Sequence, residues 1–224
     1  MPPRTAGSCE MEHVLVTGGH GDLGNRIASS FRDEGFNVHA PGRSELDVSN
    51  PDSVSSFFKT LEPLDLLVLN AGLSHDQLLA RTSEGDWDRQ IEINLHGAFR
   101  CAKSALKPML RRRSGHLIFI SSYSAIHPPI GQAAYAAAKA GLIGLAKSLA
   151  REVGSAGIRV NVILPGFLET RMTEALSEAR RKAVRQNHAL GRFNTPDSVA
   201  PFLVHLHQHL PHTSGQVFQL DSRV

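Results

Sequence analysis

The sequence predicts an α/β fold in which helices cover both faces of one doubly wound parallel sheet. Apolar segments of strand length alternate with amphipathic segments of helix length along the chain, as in strand–helix–strand units. A turn rich in glycine joins the first strand to the first helix. With 224 residues, of which 41% are hydrophobic and 20% charged, the chain suits a single globular domain.

The individual elements follow from hydrophobic spacing and from residues that start helices. Short apolar runs predict strands at residues 14–16, 36–40, 64–69, 116–121, 158–164 and 216–220. Helical spacing predicts helices over residues 23–31, 51–61, 84–110, 132–153, 169–187 and 196–208. Asn50 followed by Pro51 is typical of a helix start. Residues 41–46 leave no room for a further helix, so we expect the fold to be shortened between its second and third strands.

Residues 1–13 are polar and are expected to form a flexible leader before a single domain over residues 14–224. No apolar run approaches the ~20 residues that cross a bilayer, and the leader lacks the apolar centre of a secretion signal. Cys9 and Cys101 have no paired spacing, so we expect a reducing cytoplasm rather than a disulfide-bonded protein. The net charge of +3 is too small to predict a nucleic-acid partner.

The glycine turn predicts a dinucleotide site. At the start of a helix, glycines permit a tight turn, and backbone N–H groups there can receive a pyrophosphate. Glycines alone also serve simple turn geometry, and the position directly after the first strand favours the cofactor. The turn residues expected to contact the cofactor are Gly18, His20, Gly21, Asp22, Leu23 and Gly24.

The end of the second strand favours NADP(H) over NAD(H). A carboxylate at this place would bind the adenosine ribose of NAD, whereas an arginine accommodates the additional phosphate of NADP. This chain has Arg43 and Ser44 here, and residues 41–44, between the predicted second strand and Glu45, include no acidic residue. Asp47 and Val48 are expected to complete the adenosine side.

Four polar residues predict proton-transfer chemistry. Tyr135 and Lys139 lie four residues apart on a predicted helix and therefore share a face, where the ammonium would favour the phenolate. Ser122 ends an apolar strand, where its hydroxyl can bond a substrate carbonyl oxygen. Asn94 is a polar amide inside a predicted helix and calls for an explanation. Taken singly, each also fits an ordinary structural role.

Together these residues resemble the short-chain dehydrogenase/reductase family over nearly the whole chain, from Val14 to Asp221. The matching elements are the glycine turn, Asn70-Ala71-Gly72, Asn94, Ser122, Tyr135 with Lys139, and residues 165–170. The stretch YAAAKAGLIGLAKSLAREV, followed by RVNVILPGF and LGRF, is particularly similar to 3-oxoacyl-acyl-carrier-protein reductases. The resemblance implies a Rossmann fold, a cytoplasmic enzyme of fatty acid biosynthesis and a homodimer or homotetramer assembled through the helices beginning near Glu84 and Gln132.

The resemblance also implies a role for each residue. Tyr135 would exchange a proton with the substrate oxygen that Ser122 positions, Lys139 would bind the cofactor ribose and lower the tyrosine pKa, and Asn94 would hold a relay water. Two further groups of residues would contact the cofactor. The adenosine side would be supported by Asn70, Ala71 and Gly72, and the nicotinamide would be held by Pro165, Gly166, Leu168 and Thr170.

The chain departs from those reductases in two places near the cofactor. Its glycines follow TGxxGxxG, with Asp22 at the usual middle glycine, and its adenine side is shortened. A carboxylate beside a pyrophosphate repels it unless the side chain points away. At the entrance, Arg113 occupies one basic position, but Ala156 stands at another where those reductases tend to be basic.

The substrate is expected to be a 3-oxoacyl thioester, possibly delivered by an acyl carrier protein, since an apolar lining favours acyl or ring substrates. That lining is expected from Ile126, Pro128, Pro129, Ile130, Phe167 and Met172. The alternatives are another alcohol, sugar or polyketide carbonyl, or an NADP(H)-binding regulatory protein with little turnover. The run from Arg111 to Arg113 fits either a helix end or a docking site for the acidic carrier. The histidines between residues 205 and 212 are expected to lie on an exposed helix end, with no metal.

Overall fold

The structure, a computed structural model, describes residues 11–170, 173 and 177–223. Residues 1–10 of the predicted leader, which include Cys9, and the predicted lining residue Met172 lie outside the described residues. The strands are β1 (His13–Val16), β2 (Asn37–His39), β3 (Leu66–Leu69), β4 (Gly115–Ile120), β5 (Ile158–Leu164) and β6 (Val217–Gln219). The helices are α1 (Asp22–Asp33), α2 (Pro51–Lys59), α3 (Glu84–Ile91), α4 (Gly97–Arg112), α5 (Ala133–Val153), α6 (Glu178–Gln186) and α7 (Pro196–His209).

The six strands form one parallel sheet in the order β2-β1-β3-β4-β5-β6, which confirms the predicted α/β class. Because β2 and β3 lie on opposite sides of β1, the strand order reverses there. In parallel sheets a ligand crevice opens at such a reversal, beyond the carboxyl ends of the strands. The glycine turn leaves β1 at this point, so the fold places the predicted cofactor residues at the crevice.

The sheet separates two apolar layers because successive strand residues point to opposite faces. Leu15, Leu67 and Phe119 pack with α2, α4 and α5 on one face. Val16 and Ile118 point to the other face and pack with α1 and α7. Burial on both faces explains why the strands read as nearly continuous apolar runs.

Side-chain caps start the helices that flank the site. Asn50 accepts hydrogen bonds from the backbone N–H groups of Asp52 and Ser53, with Pro51 in the first turn, as the sequence predicts. Thr195 caps α7 through the N–H of Ser198. No helix precedes α2 after β2, and β2 is an edge strand, so the expected shortening is present within residues 11–170.

Three predicted boundaries are wrong. The first strand includes His13, which the sequence places in the leader. The predicted helix over residues 84–110 is divided into α3 and α4 by a π-helical segment, Glu92–His96. The helix predicted from Glu169 does not begin there, since Leu168 forms a parallel bridge with Asn194 and Glu169 is not helical.

The histidines near residue 207 are not all at an exposed helix end. The side chain of His207 is only 7% exposed, because it points from α7 towards the sheet, where it contacts His116 on β4 and Glu12. His205 and His209 do lie on the outside of α7, with ring centroids 5.1 Å apart. Among the described residues, no group of three or more His, Cys, Asp or Glu side chains is arranged to hold a metal ion. No described helix is long and apolar enough to cross a membrane.

Candidate active site

The glycine turn leaves the start of α1 open to an anion. Gly21 is the N-cap of α1, and no side chain forms a capping hydrogen bond at this described helix end. The first-turn N–H groups, together with the positive end of the helix dipole, suit a pyrophosphate. Asp22 is the first residue of α1 and is partly buried, so its carboxylate lies at the same helix end. The turn therefore fits a dinucleotide but contributes a negative charge that glycine would not.

Thr17 locks this turn to the end of β3, a role that the sequence analysis missed. Its buried hydroxyl accepts the N–H groups of Asn70 and Ala71, both at 3.0 Å. The Asn70 amide donates back to the carbonyl oxygens of Thr17 at 3.0 Å and Gly18 at 3.3 Å. Asn70 and Ala71 thus support the glycine turn through hydrogen bonds, and binding of a cofactor there stays a prediction. A threonine immediately before the glycines was the available signal.

The glycines of the turn are required by close approach. Gly18 has a φ of +66°, and a Cβ atom there would lie 2.9 Å from the Cα of Ala71. A Cβ atom on Gly24 would lie 2.7 Å from the amide nitrogen of Asn70. Both positions are therefore closed to other residues by the turn itself, whichever ligand the turn binds.

Arg43 lies at the end of the crevice where the adenosine side is expected. Its side chain is 68% exposed, and its Nε donates to Asp47 at 3.2 Å. Hydrogen bonds from Ser49 and the Arg43 guanidinium hold the pKa of Asp47 below its ordinary value. Glu45 folds back to accept the N–H of Gly42 at 2.8 Å and lies 3.5 Å from the imidazole of His20. The guanidinium of Arg43 and the carboxylates of Asp47 and Glu45 therefore all lie at this end of the crevice.

Tyr135, Lys139 and Ser122 come together where β4 ends against α5. Tyr135 and Lys139 are one turn apart, with the Lys139 Nζ 5.7 Å from the tyrosine ring centroid. The side chain of Ser122 lies close enough to Tyr135 to oppose the rise in its pKa. Lys139 is buried and donates from Nζ to the carbonyl oxygen of Ile120 at 2.9 Å. Ser121, which the sequence analysis missed, donates from its hydroxyl to the carbonyl oxygen of Lys139 at 2.8 Å.

The pKa values of this pair are set mainly by burial. Burial raises the pKa of Tyr135 above 10.0, and the nearby side chain of Ser122 opposes the rise while the charge of Asp76 adds to it. Burial lowers the pKa of Lys139 to about 8. The pKa of Tyr135 is thus raised overall by burial, and Lys139 is not among the causes of that shift. The expectation that Lys139 lowers the tyrosine pKa stays a prediction.

Asn94 lies in the π-helical segment and is fully buried. Its amide donates to the carbonyl oxygens of Leu73 at 2.8 Å and Gln90 at 2.9 Å, and its oxygen accepts the N–H of Leu73 at 3.1 Å. Such single-turn π segments occur frequently at functional sites. A Cβ atom on Gly72 would lie 2.7 Å from the Asn94 oxygen and 3.3 Å from the Lys139 Nζ. Gly72 therefore keeps the space beside both polar groups open.

The segment after β5 forms the opposite wall of the crevice. Asn194 donates from its amide to the carbonyl oxygen of Pro165 at 3.0 Å and also bonds the carbonyl oxygen of Leu220. Thr170 is held by its N–H bond to the Thr173 hydroxyl at 3.0 Å. Gly166 has a φ of +87°, which few other residues adopt. The predicted residues 165–170 therefore lie at the carboxyl edge, beside the end of β4.

Apolar side chains lie on the loop after Ser122, where the substrate is expected. Ile126 and Ile130 follow Ser122 and are 45% and 82% exposed. Phe167 packs on Phe193, with ring centroids 4.5 Å apart. Of the six residues predicted as lining, Met172 lies outside the described residues, and Pro128 and Pro129 are exposed on the same loop as Ile130.

The arginine run lies at the opposite edge of the sheet from these residues. Arg112 bonds the carbonyl oxygen of Leu64 and pairs with Asp65 at 3.4 Å, immediately before β3 begins. Arg113 ends α4 with a φ of +55° and donates to the carbonyl oxygen of Ser155 at 2.5 Å. β4 separates this edge from Ser122 by about 20 Å, at 3.3 Å per residue. Within one chain the run forms a helix end at the edge away from Ser122, and docking of an acidic carrier there stays a prediction.

Comparison with known proteins gives consistent matches. A family model described as Enoyl-(Acyl carrier protein) reductase matches residues 14–222. A 3-oxoacyl-[acyl-carrier-protein] reductase FabG from Chlamydia muridarum is 36% identical over an alignment of 235 residues, gaps included. The alignment covers 93% of this chain and 95% of that protein. The proteins of the same name from Salmonella typhimurium and Escherichia coli are each 38% identical, over 86% and 84% of this chain and 88% and 86% of their own lengths.

Proposed function

The chain belongs to the short-chain dehydrogenase/reductase family and is an oxidoreductase of that family, and we propose that it reduces the carbonyl group of a 3-oxoacyl thioester with NADPH. The observation that carries the proposal is the convergence of Ser122, Tyr135 and Lys139 at the carboxyl edge, beside an open glycine turn. The names of the relatives support the choice of thioester.

Tyr135 donates the proton in this proposal. NADPH, when bound, supplies the hydride to the carbonyl carbon. Because the pKa of Tyr135 is raised, its hydroxyl is protonated at neutral pH and is ready to donate to the oxygen as negative charge develops there. Ser122 bonds the same oxygen and holds it within reach of Tyr135.

Lys139 and Asn94 support this proton transfer without contacting the substrate oxygen in the proposal. The Lys139 ammonium donates to Ile120 and has further N–H groups for the hydroxyls of a cofactor ribose. With a pKa of about 8 it is mostly charged at neutral pH and stabilises negative charge on the phenol oxygen. Asn94 fixes the backbone of Leu73 beside the space that Gly72 leaves open. A relay water bound there remains part of the proposal.

The preference for NADPH rests on Arg43 and Ser44. A guanidinium forms charge-assisted hydrogen bonds with a phosphate, and the side chain of Arg43 is exposed enough to reach one. The imidazole of His20 lies beside Glu45 at the same end of the crevice and can add a second donor. The carboxylates of Asp47 and Glu45 already neutralise part of this charge, so we expect a selectivity for NADPH rather than an absolute requirement.

A homo-oligomer is also proposed. Phe99 and Leu110 on α4 are 46% and 45% exposed, so this helix presents apolar surface that a second copy of the chain would cover. The relatives named above act on carrier-bound acyl groups by their names. Delivery by an acyl carrier protein is therefore proposed for this chain, with the run from Arg111 to Arg113 as the candidate docking surface.

A substrate panel and one variant test the proposal. NADPH oxidation by the wild-type protein should be faster with a short 3-oxoacyl thioester than with a sugar ketone or a polyol. Tyr135→Phe should lower kcat below a tenth of wild type and leave the NADPH Kd, measured by nicotinamide fluorescence, within twofold. If the sugar ketone turns over and the thioester does not, the substrate class is wrong. If no carbonyl is reduced, a regulatory NADP(H)-binding protein becomes the better account.

A further inference from the structure

The chain segment after β6 lies against the active site and contains a buried ion pair. Arg223 binds Asp221 through Nε at 2.6 Å and Nη2 at 2.5 Å. The side chains are only 11% and 1% exposed, so both charges are largely removed from water. The Asp221 carboxylate also accepts from the amide of Gln219 at 2.8 Å. A buried pair of this kind is geometrically well defined, since either charge alone would be costly.

Arg223 connects this pair to the loop that carries Ser122. Its guanidinium carbon lies 3.5 Å from the ring centroid of Tyr123, the residue directly after Ser122. Arginine over an aromatic face is attractive, and more so when water is excluded. Tyr123 also stacks on His127 at 4.7 Å, and the Ser122 hydroxyl accepts the N–H of Ser124. The guanidinium therefore contacts the first residue of the turn that orients the serine.

Asp221 connects the pair to the opposite wall of the crevice. It occupies the space beside Gly166, where an added Cβ atom would lie 2.6 Å from the Asp221 Cβ. Gly166 belongs to residues 165–170, the wall expected to hold the nicotinamide. Asp221 and Arg223 thus lie between the cofactor wall and the substrate loop.

A third segment of the site is attached to the same few residues. Ser222 accepts the N–H of Ala189 on its carbonyl oxygen at 2.8 Å and the N–H of Leu190 on its hydroxyl at 3.3 Å. His188 forms an antiparallel bridge with Arg223. These residues follow α6, so residues 221–223 hold three segments around the carboxyl edge.

We propose that Asp221 and Arg223 clamp the Ser122 loop against the nicotinamide wall, and that Arg223 is a positioning residue for hydride transfer. The inference rests on the proposed function, because it concerns the distance between the nicotinamide and the carbonyl group of the substrate. Hydride transfer needs those atoms ~3–3.5 Å apart, and an error of ~1 Å can cost about a hundredfold in rate. Arg223 does not bind an anionic substrate, since its charge is paired and its side chain is buried.

Arg223→Ala tests the clamp, with Arg223→Lys as the conservative variant. We expect the alanine variant to lower kcat at least about tenfold while KM for NADPH stays within twofold. Lysine keeps a cation near Tyr123 and Asp221 and should recover part of the loss. Arg112→Ala is the matched control, because it removes an arginine that ties segments together at the opposite edge. With a small thioester that no carrier delivers, it should leave kcat unchanged. A kcat of the alanine variant within twofold of wild type overturns the proposal.

Hydrogen exchange of the cofactor-free protein gives a second readout. Amides of residues 122–127 should exchange faster in Arg223→Ala than in wild type or Arg112→Ala. Unchanged exchange overturns the clamp, even where kcat falls. Tyr123→Leu removes the aromatic face and leaves the ion pair, so it replaces the arginine variant if that protein does not fold, with the same expected results. If the wild type reduces no carbonyl, the proposed function fails, and the exchange measurement still decides whether the clamp exists.

Discussion

His116 should make the protein less stable as the pH falls below 6.5. Its ring is buried and belongs to a series of hydrogen-bonded side chains. The amide of Asn161 is 3.1 Å from Nε2, and Nδ1 is 3.2 Å from Nδ1 of His207, whose Nε2 is 2.9 Å from Glu12. An amide nitrogen only donates, so Nε2 of His116 must accept and the ring proton lies on Nδ1. A second proton would remove the acceptor that Asn161 requires.

The size of the effect follows from the shift in pKa. Burial, reinforced by the charges of Arg159 and His207, lowers the pKa of His116 well below 6.5. Between the folded and unfolded pKa values the unfolded chain binds more protons, so the unfolding free energy falls as pH falls. The loss is up to about 1.4 kcal/mol per pH unit below 6.5, and above 6.5 this residue contributes no pH dependence.

Urea unfolding followed by circular dichroism at pH 7.5, 6.5 and 5.5 measures this slope. His116→Gln should cost about 1–3 kcal/mol at pH 7.5, because buried partners lose a hydrogen bond. Between pH 6.5 and 5.5 it should lose less stability than wild type, by up to about 1.4 kcal/mol. His212→Gln, at an exposed position, is the control and should keep the wild-type slope. Equal slopes for His116→Gln and wild type would refute the reasoning.

Two further changes test the cofactor pocket and the support behind it. Arg43→Ala should raise the Kd of NADPH about tenfold or more and that of NADH much less, since a charge-assisted bond is worth ~1.5–3 kcal/mol. Equal losses in a fluorescence titration would show that Arg43 does not contact the additional phosphate. Asn94→Ala should lower the unfolding free energy by about 1–3 kcal/mol, because it leaves the partly buried backbone groups of Leu73 without their partner. A urea midpoint equal to that of wild type would contradict this role.

The local part of the site was predictable from the sequence because it depends on neighbours along the chain. Tyr135 and Lys139 lie four positions apart on α5, so their shared face follows from helical geometry. Ser122 follows an apolar strand, and the glycine turn follows β1, so both had to lie at the carboxyl edge of a parallel sheet. Strand and helix periodicity likewise predicted the sheet and its two apolar layers.

Only the tertiary structure decided the contacts between residues that lie far apart in the sequence. Arg223 stacks on Tyr123, His207 turns inward to His116, and neither pairing is visible in local spacing. The direction of the Tyr135 pKa was also decided there, since desolvation depends on how completely the packed chain removes water from the hydroxyl. Hydrophobic pattern and helix geometry depend on residues close together in the sequence. Burial and ion pairing arise only when distant segments meet. The sequence therefore predicted the types of residue at the site, but not the distant contacts that hold them in place.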